Sequence, residues 1–181
     1  MKILNKRRIS GITICFLLVG CAAGGALYNE NNEKFAEGST KSLIIIFREN
    51  QHVSGGACYK VYLDGQKTGV LANGGFLKIY VEPGRHAISL LDNKLNLPLQ
   101  MEAGEKNYVK YSISKEELPP TAIGAETSVN FSKSTCFSTG VLYSYQFGLN
   151  YYLAHVTSEY AIGLLPQLKD SSSSYTCLNV V

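Results

Sequence analysis

The sequence lacks the short catalytic and metal-binding signatures that would assign an enzyme class. It contains no G-x-S-x-G nucleophile motif, no H-E-x-x-H zinc motif and no phosphate-binding P-loop. Its three histidines, His52, His86 and His155, form no known metal-binding motif with a neighbouring His, Cys or carboxylate. His86 follows a turn and is expected to cap the start of a strand, and His52 is expected to be exposed in a loop. We predict no enzyme activity, no metal and no cofactor.

Basic charge is also scarce once the first residues are set aside. All 14 acidic residues follow position 20, whereas four of the 17 basic residues lie in the first eight positions. The remaining chain carries 13 basic and 14 acidic groups and is therefore almost neutral. Nucleic-acid binding requires a clustered basic face. We therefore exclude nucleic acid as a partner.

The first 20 residues have the parts of an export signal. Lys2, Lys6, Arg7 and Arg8 form a basic start, and residues 9–19 form an apolar run of about 11 residues. Such a run is too short to cross ~30 Å of hydrocarbon as a helix, but it has the length of a signal-peptide core. We predict a cleaved signal peptide over residues 1–20.

The residues at the end of this segment, Leu18-Val19-Gly20-Cys21, resemble the bacterial lipobox. The resemblance implies that the Cys21 thiol receives a diacylglyceryl group and that cleavage falls between Gly20 and Cys21. It also implies a further acyl chain, such as palmitate, on the new amino terminus. Two or more acyl chains give stable membrane anchoring. Ala22, rather than Asp, follows Cys21, which favours the outer membrane and its periplasmic face within the bacterial cell envelope.

Two further segments have the composition of flexible chain. Residues 21–42 are rich in Gly, Asn, Glu and Ser, and they predict a lipidated, mostly disordered tether. A coil of about 20 residues spans roughly 25 Å, which would hold a domain clear of the headgroups. Residues 170–181 predict a Ser-rich tail. Residues 43–169 are left as one folded domain.

The domain consists of short β-rich runs separated by turn residues. Residues 43–47 are apolar and mostly β-branched, which predicts a strand buried on both faces and ended by Arg48. Asp64-Gly65 lies between two β-rich runs and predicts a tight hairpin, because Gly adopts the positive φ of the turn. Residues 158–168 have apolar positions at helical spacing. We predict a mainly β fold, an antiparallel β-sandwich or small open barrel, with a short C-terminal helix possible.

Two of these runs resemble the PEGA-type β-domain. They are Y-K-V-Y-L-D-G at residues 59–65 and V-E-P-G-R-H at residues 81–86. They resemble more closely a related bacterial lipoprotein family of unknown function, in which a D-G hairpin precedes a P-G-x-H turn and a strand. The resemblance covers residues 43–113. It implies a small β-sandwich at the cell envelope and no catalytic residues.

Three cysteines remain after Cys15 leaves with the signal peptide and Cys21 is lipidated. In an oxidising periplasm Cys58, Cys136 and Cys177 can form at most one internal disulfide. We favour the pair Cys136–Cys177, which would join loop-rich segments and leave Cys58 as a buried thiol. A reactive thiol is the alternative, although no neighbouring motif argues for a lowered pKa.

A group of tyrosines has two interpretations. They could form one face that binds sugar or peptide, or they could pack as ordinary cross-strand aromatic pairs, which we favour. The members are Tyr59, Tyr62, Tyr80, Tyr108 and Tyr111.

These features predict a membrane-anchored lipoprotein that acts as a non-enzymatic binding or structural module. Its partner would be an envelope protein or cell-wall glycan. One alternative is an envelope enzyme with Cys58 or Cys136 as nucleophile. Another is an accessory lipoprotein subunit of a secretion or envelope assembly.

Overall fold

The chain folds mainly into β-strands, as predicted. The computed structural model describes residues 22–33, 40–52, 56–114, 122–131, 134–138, 141–145 and 149–172, and within 114–149 it describes the backbone only. The described strands are β1 (Ser42–Arg48), β2 (Tyr59–Leu63), β3 (Gln66–Leu71), β4 (Gly75–Val81), β5 (Gly84–Leu90), β6 (Leu95–Met101), β7 (Lys106–Ser114), β8 (Ala122–Phe131), β9 (Ser134–Ser138), β10 (Val141–Tyr145), β11 (Leu149–Val156) and β12 (Lys169–Asp170).

The strands form two main sheets that pack face to face. One has the order β12-β4-β1-β7-β11-β8 and the other β3-β2-β5-β6, while β9 and β10 form a separate two-stranded sheet among the described residues. The six-stranded sheet is mixed, because β1 lies parallel to β7 and β12 lies parallel to β4. The chain between β1 and β7 forms β2 to β6, and this long excursion allows a parallel return to β1. The two-sheet arrangement confirms the predicted fold class.

The main hydrophobic core lies between the two sheets, and β1 shows how it is built. Side chains alternate across a strand, so Ile44 and Ile46 face the four-stranded sheet. Leu43, Ile45 and Phe47 belong to a second core on the opposite face. All seven β1 residues are buried, which confirms the prediction of a strand buried on both faces.

A short helical layer covers that opposite face. Helix α1 (Ser158–Leu164) begins at Thr157, whose hydroxyl accepts a hydrogen bond from the Tyr160 N–H at 3.2 Å. It leads into a 3-10 turn at Leu165–Gln167, and its buried apolar residues Ala161 and Leu165 complete the second core. The predicted C-terminal helix is thus confirmed. No helix in the described ranges is long and apolar enough to cross a membrane.

The hairpin between β2 and β3 has the expected turn. Asp64 and Gly65 occupy its two central positions with φ values of 50° and 79°. Positive φ at both positions matches the two-residue turn that follows the natural twist of a hairpin. The Asp-Gly prediction is confirmed.

Both ends of the domain extend further than the composition suggests. Ala22 pairs with Asn73, and Leu27 pairs with Lys169, so the start of the predicted tether lies against the sheet. At the other end, the residues after Leu168 form β12, whose backbone hydrogen-bonds to β4. The start of the predicted tail is therefore part of the fold. Composition missed these contacts because they are backbone hydrogen bonds: every residue carries the C=O acceptor, and every residue except proline carries the N–H donor.

Candidate functional site

One polar cluster joins the two sequence runs that carried the family resemblance. The Asp64 carboxylate accepts a hydrogen bond from His86 Nδ1 at 2.8 Å and another from the Ala87 N–H at 2.8 Å. His86 Nε2 lies 2.8 Å from the Glu82 carbonyl oxygen. The D-G hairpin and the P-G-x-H turn are therefore one contact unit. His86 lies in β5 and ties that strand back to the preceding turn.

The geometry of this unit favours a charged imidazole. Both ring nitrogens face acceptors, the Asp64 carboxylate and the Glu82 carbonyl, so both can donate only when His86 is protonated. The hydrogen bond to Asp64 raises the pKa of His86, although partial burial opposes it. Burial acts to raise the pKa of Asp64, but His86 and the Ala87 N–H lower it overall. Because Nε2 is occupied, His86 is not placed to act as a general base.

This pair predicts a pH-dependent stability. His86 contributes fully below its unfolded pKa of about 6.5, and the contribution is lost as pH rises through the higher folded pKa. Between about pH 6 and pH 9, the free energy of unfolding of the wild type should fall by up to about 1 kcal/mol more than that of His86→Gln. The effect is limited because the Asp64 side chain is 48% exposed and solvent screens the pair. Urea unfolding at the two pH values measures it.

The exposed His52 provides the matched control for this prediction. His52→Gln should retain the wild-type dependence on pH, because its imidazole lies outside the Asp64 unit. If the free energy of unfolding changed equally with pH in the wild type and in His86→Gln, the stabilising role of the His86–Asp64 contact would be contradicted. At acid pH the pair should weaken as pH falls through the lowered pKa of Asp64.

The comparison with protein families returned one match. Residues 38–125 are similar to a family described as a protein of unknown function, DUF2846. Searches of curated proteins and of solved structures found no match. The matched residues cover β1 to β7 and the start of β8, including the Asp64 unit. This agrees with the expected domain of unknown function, while the PEGA-type resemblance and the lipobox stay predictions.

Within the DUF2846 segment, a second cluster surrounds a fully buried arginine. Arg48 is 0% exposed at the end of β1, and its Nη1 donates to the Ala57 carbonyl at 2.8 Å. Its guanidinium carbon lies 5.1 Å from the centre of the Tyr59 ring and 6.0 Å from that of Tyr111. The two rings contact each other at 4.8 Å between centroids. The guanidinium thus packs against aromatic faces, which attract cations.

Burial governs the titration of this Arg48 cluster. It lowers the pKa of Arg48, an effect that the neighbouring tyrosines oppose. It also raises the pKa of the Tyr111 hydroxyl, which stays neutral. From the sequence, Arg48 was predicted only to end a strand. Its position directly after a continuous apolar run was the available signal, because β1 continues through Arg48 into the core.

A third cluster lies on the helix-covered face of the six-stranded sheet. The Lys110 ammonium, on β7, forms an ion pair with Glu49 and donates to the Tyr160 hydroxyl of α1. It also lies 4.9 Å from the centre of the Tyr160 ring. The Lys110 side chain is only 7% exposed, and its contacts join β7, the end of β1 and the helix.

The Lys110 cluster holds its charge rather than releasing a proton. Burial acts to lower the pKa of Lys110, but the contacts with Glu49 and Tyr160 raise it overall. A lysine that serves as a base needs the opposite shift, toward neutral pH. We interpret the cluster as a structural link between the helix and the sheet. Sequence reasoning missed it because its members are distant in the chain.

Cys58 is buried and disulfide-bonded, which overturns the expectation of a free thiol. The side chains of the other four cysteines lie outside the described residues, and so does the predicted Cys136–Cys177 pair. Gly20 and Cys21, the predicted cleavage and lipidation residues, lie outside them as well. Around Cys58 the described neighbours are Ala23 and Ala72, which form a small apolar cluster.

The five tyrosines considered together in the sequence do not share a face. Tyr59 and Tyr111 lie in the core between the sheets, whereas Tyr108 lies in the core beneath the helix. Tyr80 is 53% exposed, and Tyr62 is half-buried. A single aromatic platform is therefore wrong. Tyr108 and Tyr111 are three residues apart on one strand, and an odd separation places side chains on opposite faces.

The described side chains contain no group of three or more His, Cys, Asp or Glu that could hold a metal ion. The described surface does contain a shallow cavity of about 260 Å³ on the four-stranded sheet. Arg85, His86, Pro98 and Gln100 line it. This outer face offers polar and apolar groups to a ligand, in contrast to the helix-covered face of the other sheet.

Proposed function

We propose that this protein is a lipoprotein of the bacterial envelope whose β-sandwich serves as a binding or structural module. Acyl chains on Cys21 would hold it to the periplasmic face of the outer membrane. The observation that carries the proposal is the L-V-G-C run behind a basic and apolar segment.

The chemistry of the described clusters favours binding over catalysis. Arg48 and Lys110 are buried and stay charged, and His86 uses both ring nitrogens in structural contacts. The bonded state of Cys58 argues against an enzyme that uses this thiol as nucleophile. An envelope protein or cell-wall glycan would bind the outer face of the four-stranded sheet, around Arg85 and Gln100.

The experiment is metabolic labelling with a clickable palmitate analogue in a bacterial host, with mass spectrometry of the N-terminal peptide. We expect the wild type to carry label and to begin at Cys21, and Cys21→Ala to lose the label. Cys15→Ala is the matched control and should retain the label, because this residue leaves with the signal peptide. An unlabelled wild-type protein that keeps residues 1–20 would refute the proposal.

A further inference from the structure

The segment directly after Cys21 is fixed to the folded domain by backbone hydrogen bonds. The Ala23 N–H donates to the Asn73 carbonyl at 3.1 Å, and the Gly25 N–H donates to the Asp170 carbonyl at 3.0 Å. In return, the Asp170 N–H donates to the Ala26 carbonyl at 2.8 Å. Residues 22–28 therefore lie along the β12 edge of the six-stranded sheet.

Side-chain packing holds the same segment closely. A Cβ atom at Gly25 would lie 2.4 Å from the Asp170 carbonyl oxygen, so only glycine fits there. Ala23 and Tyr28 are 7% and 6% exposed, and the Tyr28 ring meets Phe76 edge to face at 5.4 Å. The segment is thus buried at two points, which a flexible tether would not be.

Asn73, whose carbonyl accepts the hydrogen bond from this segment, is held in place by its own side-chain hydrogen bonds. Asn73 Nδ2 donates to Asn50 Oδ1 at 2.8 Å and to the Gln51 carbonyl at 3.1 Å. Its Oδ1 accepts a hydrogen bond from the Gln51 N–H at 3.0 Å. The loop after β1 and the turn before β4 therefore form one rigid corner where Ala22 joins the sheet.

We propose that the domain lies directly against the membrane in a fixed orientation, with this corner facing the lipid headgroups. The inference rests on the proposed lipidation of Cys21. One peptide unit of about 3.8 Å separates the Cys21 Cα from that of Ala22, so the acyl chains leave the protein within roughly 10 Å of Asn73. The freely moving coil predicted from composition would instead allow roughly 25 Å.

The chemistry of the corner suits a headgroup layer. Asn50 is exposed at this corner and presents an uncharged amide group, whereas the amide of Asn73 is buried and used in the internal hydrogen bonds. An amide hydrogen-bonds to phosphate and glycerol oxygens without requiring a lipid of one charge. Contact with the bilayer should therefore occur in vesicles of phosphatidylcholine alone.

The absence of tryptophan from the sequence makes the orientation measurable. His52→Trp places a single fluorophore at the corner, beside Gln51. Ala103→Trp places one in the exposed turn before β7, at the opposite end of β1, where the Leu43 N–H donates to the Glu105 carbonyl. Seven strand residues separate the two ends, which corresponds to about 20 Å.

The lipidated variants would be reconstituted into phosphatidylcholine vesicles with and without bromine on the upper acyl carbons. We expect bromine to quench His52→Trp strongly and Ala103→Trp little. A spacer of about ten Gly and Ser residues inserted between Cys21 and Ala22 adds roughly 17 Å of reach. It should abolish the quenching of His52→Trp while the protein stays bound to the vesicles.

The outcomes separate this inference from the proposed function. Equal quenching of the two variants, in protein that carries acyl chains and floats with vesicles, would refute the fixed orientation and leave the lipoprotein proposal intact. Protein whose N-terminal peptide lacks acyl chains would refute both. Quenching of His52→Trp that persists with the spacer would show that the short link does not set the orientation, and would refute the inference as stated.

Discussion

Replacing Arg48 with alanine should lower the free energy of unfolding by about 3–5 kcal/mol, the range observed when one partner of a buried charged contact is removed. Arg48 is 0% exposed, and its guanidinium fills the space beside Tyr59 and Tyr111. Alanine would leave a cavity there and remove the donor to the Ala57 carbonyl. Urea unfolding followed by circular dichroism measures the loss.

Two further substitutions separate the packing of Arg48 from its charge. Arg48→Met keeps most of the volume but loses the hydrogen bond and the cation–aromatic contact, so it should destabilise less than alanine. Arg48→Lys keeps the charge on a compact ammonium that cannot stack as a planar guanidinium does. We therefore expect lysine to destabilise the fold more than methionine, because it leaves a poorly matched buried charge.

Arg85 provides the matched control for the arginine series. It lies on β5 with an exposed side chain, and Arg85→Ala should change stability by no more than about 0.5 kcal/mol. An Arg48→Ala variant that unfolds at the same urea concentration as Arg85→Ala would contradict the structural role of the buried arginine.

Removing the disulfide of Cys58 should lower the free energy of unfolding by about 2–5 kcal/mol. Cys58→Ala isolates the bond well, because alanine still fits the apolar cluster that Cys58 forms with Ala23 and Ala72. Reduction of the wild type with dithiothreitol should produce a similar loss, and Cys58→Ala should not respond to reduction. A variant as stable as the oxidised wild type would contradict the prediction.

The partner of Cys58 bears directly on the lipoprotein proposal. A thioether-linked lipid on Cys21 excludes that thiol from a disulfide, so in the lipidated protein Cys58 would pair with Cys136 or Cys177. The correct partner is the cysteine whose alanine substitution adds no further destabilisation to Cys58→Ala. A non-reduced peptide that joins Cys58 to Cys21 would contradict lipidation, and one that joins Cys58 to Cys136 or Cys177 would exclude the Cys136–Cys177 pair.

Several local features of the fold could be predicted from the sequence because their causes are local. The apolar run of β1 requires burial on both faces, and Asp64-Gly65 supports a two-residue turn wherever it occurs between strands. The helical spacing after Ser158 predicts α1. The P-G-x-H run was recognised as turn chemistry, but its bond to Asp64 was not, because a contact across 22 residues has no local signal.

The sequence alone determined the class of fold and the position of the tight hairpin, since each depends on periodicity or on short segments. The export signal over residues 1–20 stays a prediction. Only the tertiary structure decided that Arg48 and Lys110 are buried among aromatic partners and that β1 pairs in parallel with β7. It also decided that the chain after Cys21 is held against the sheet. The physical reason is common to all three findings. Backbone pairing and the burial of a charge depend on which distant segments come into contact, and composition does not predict those contacts.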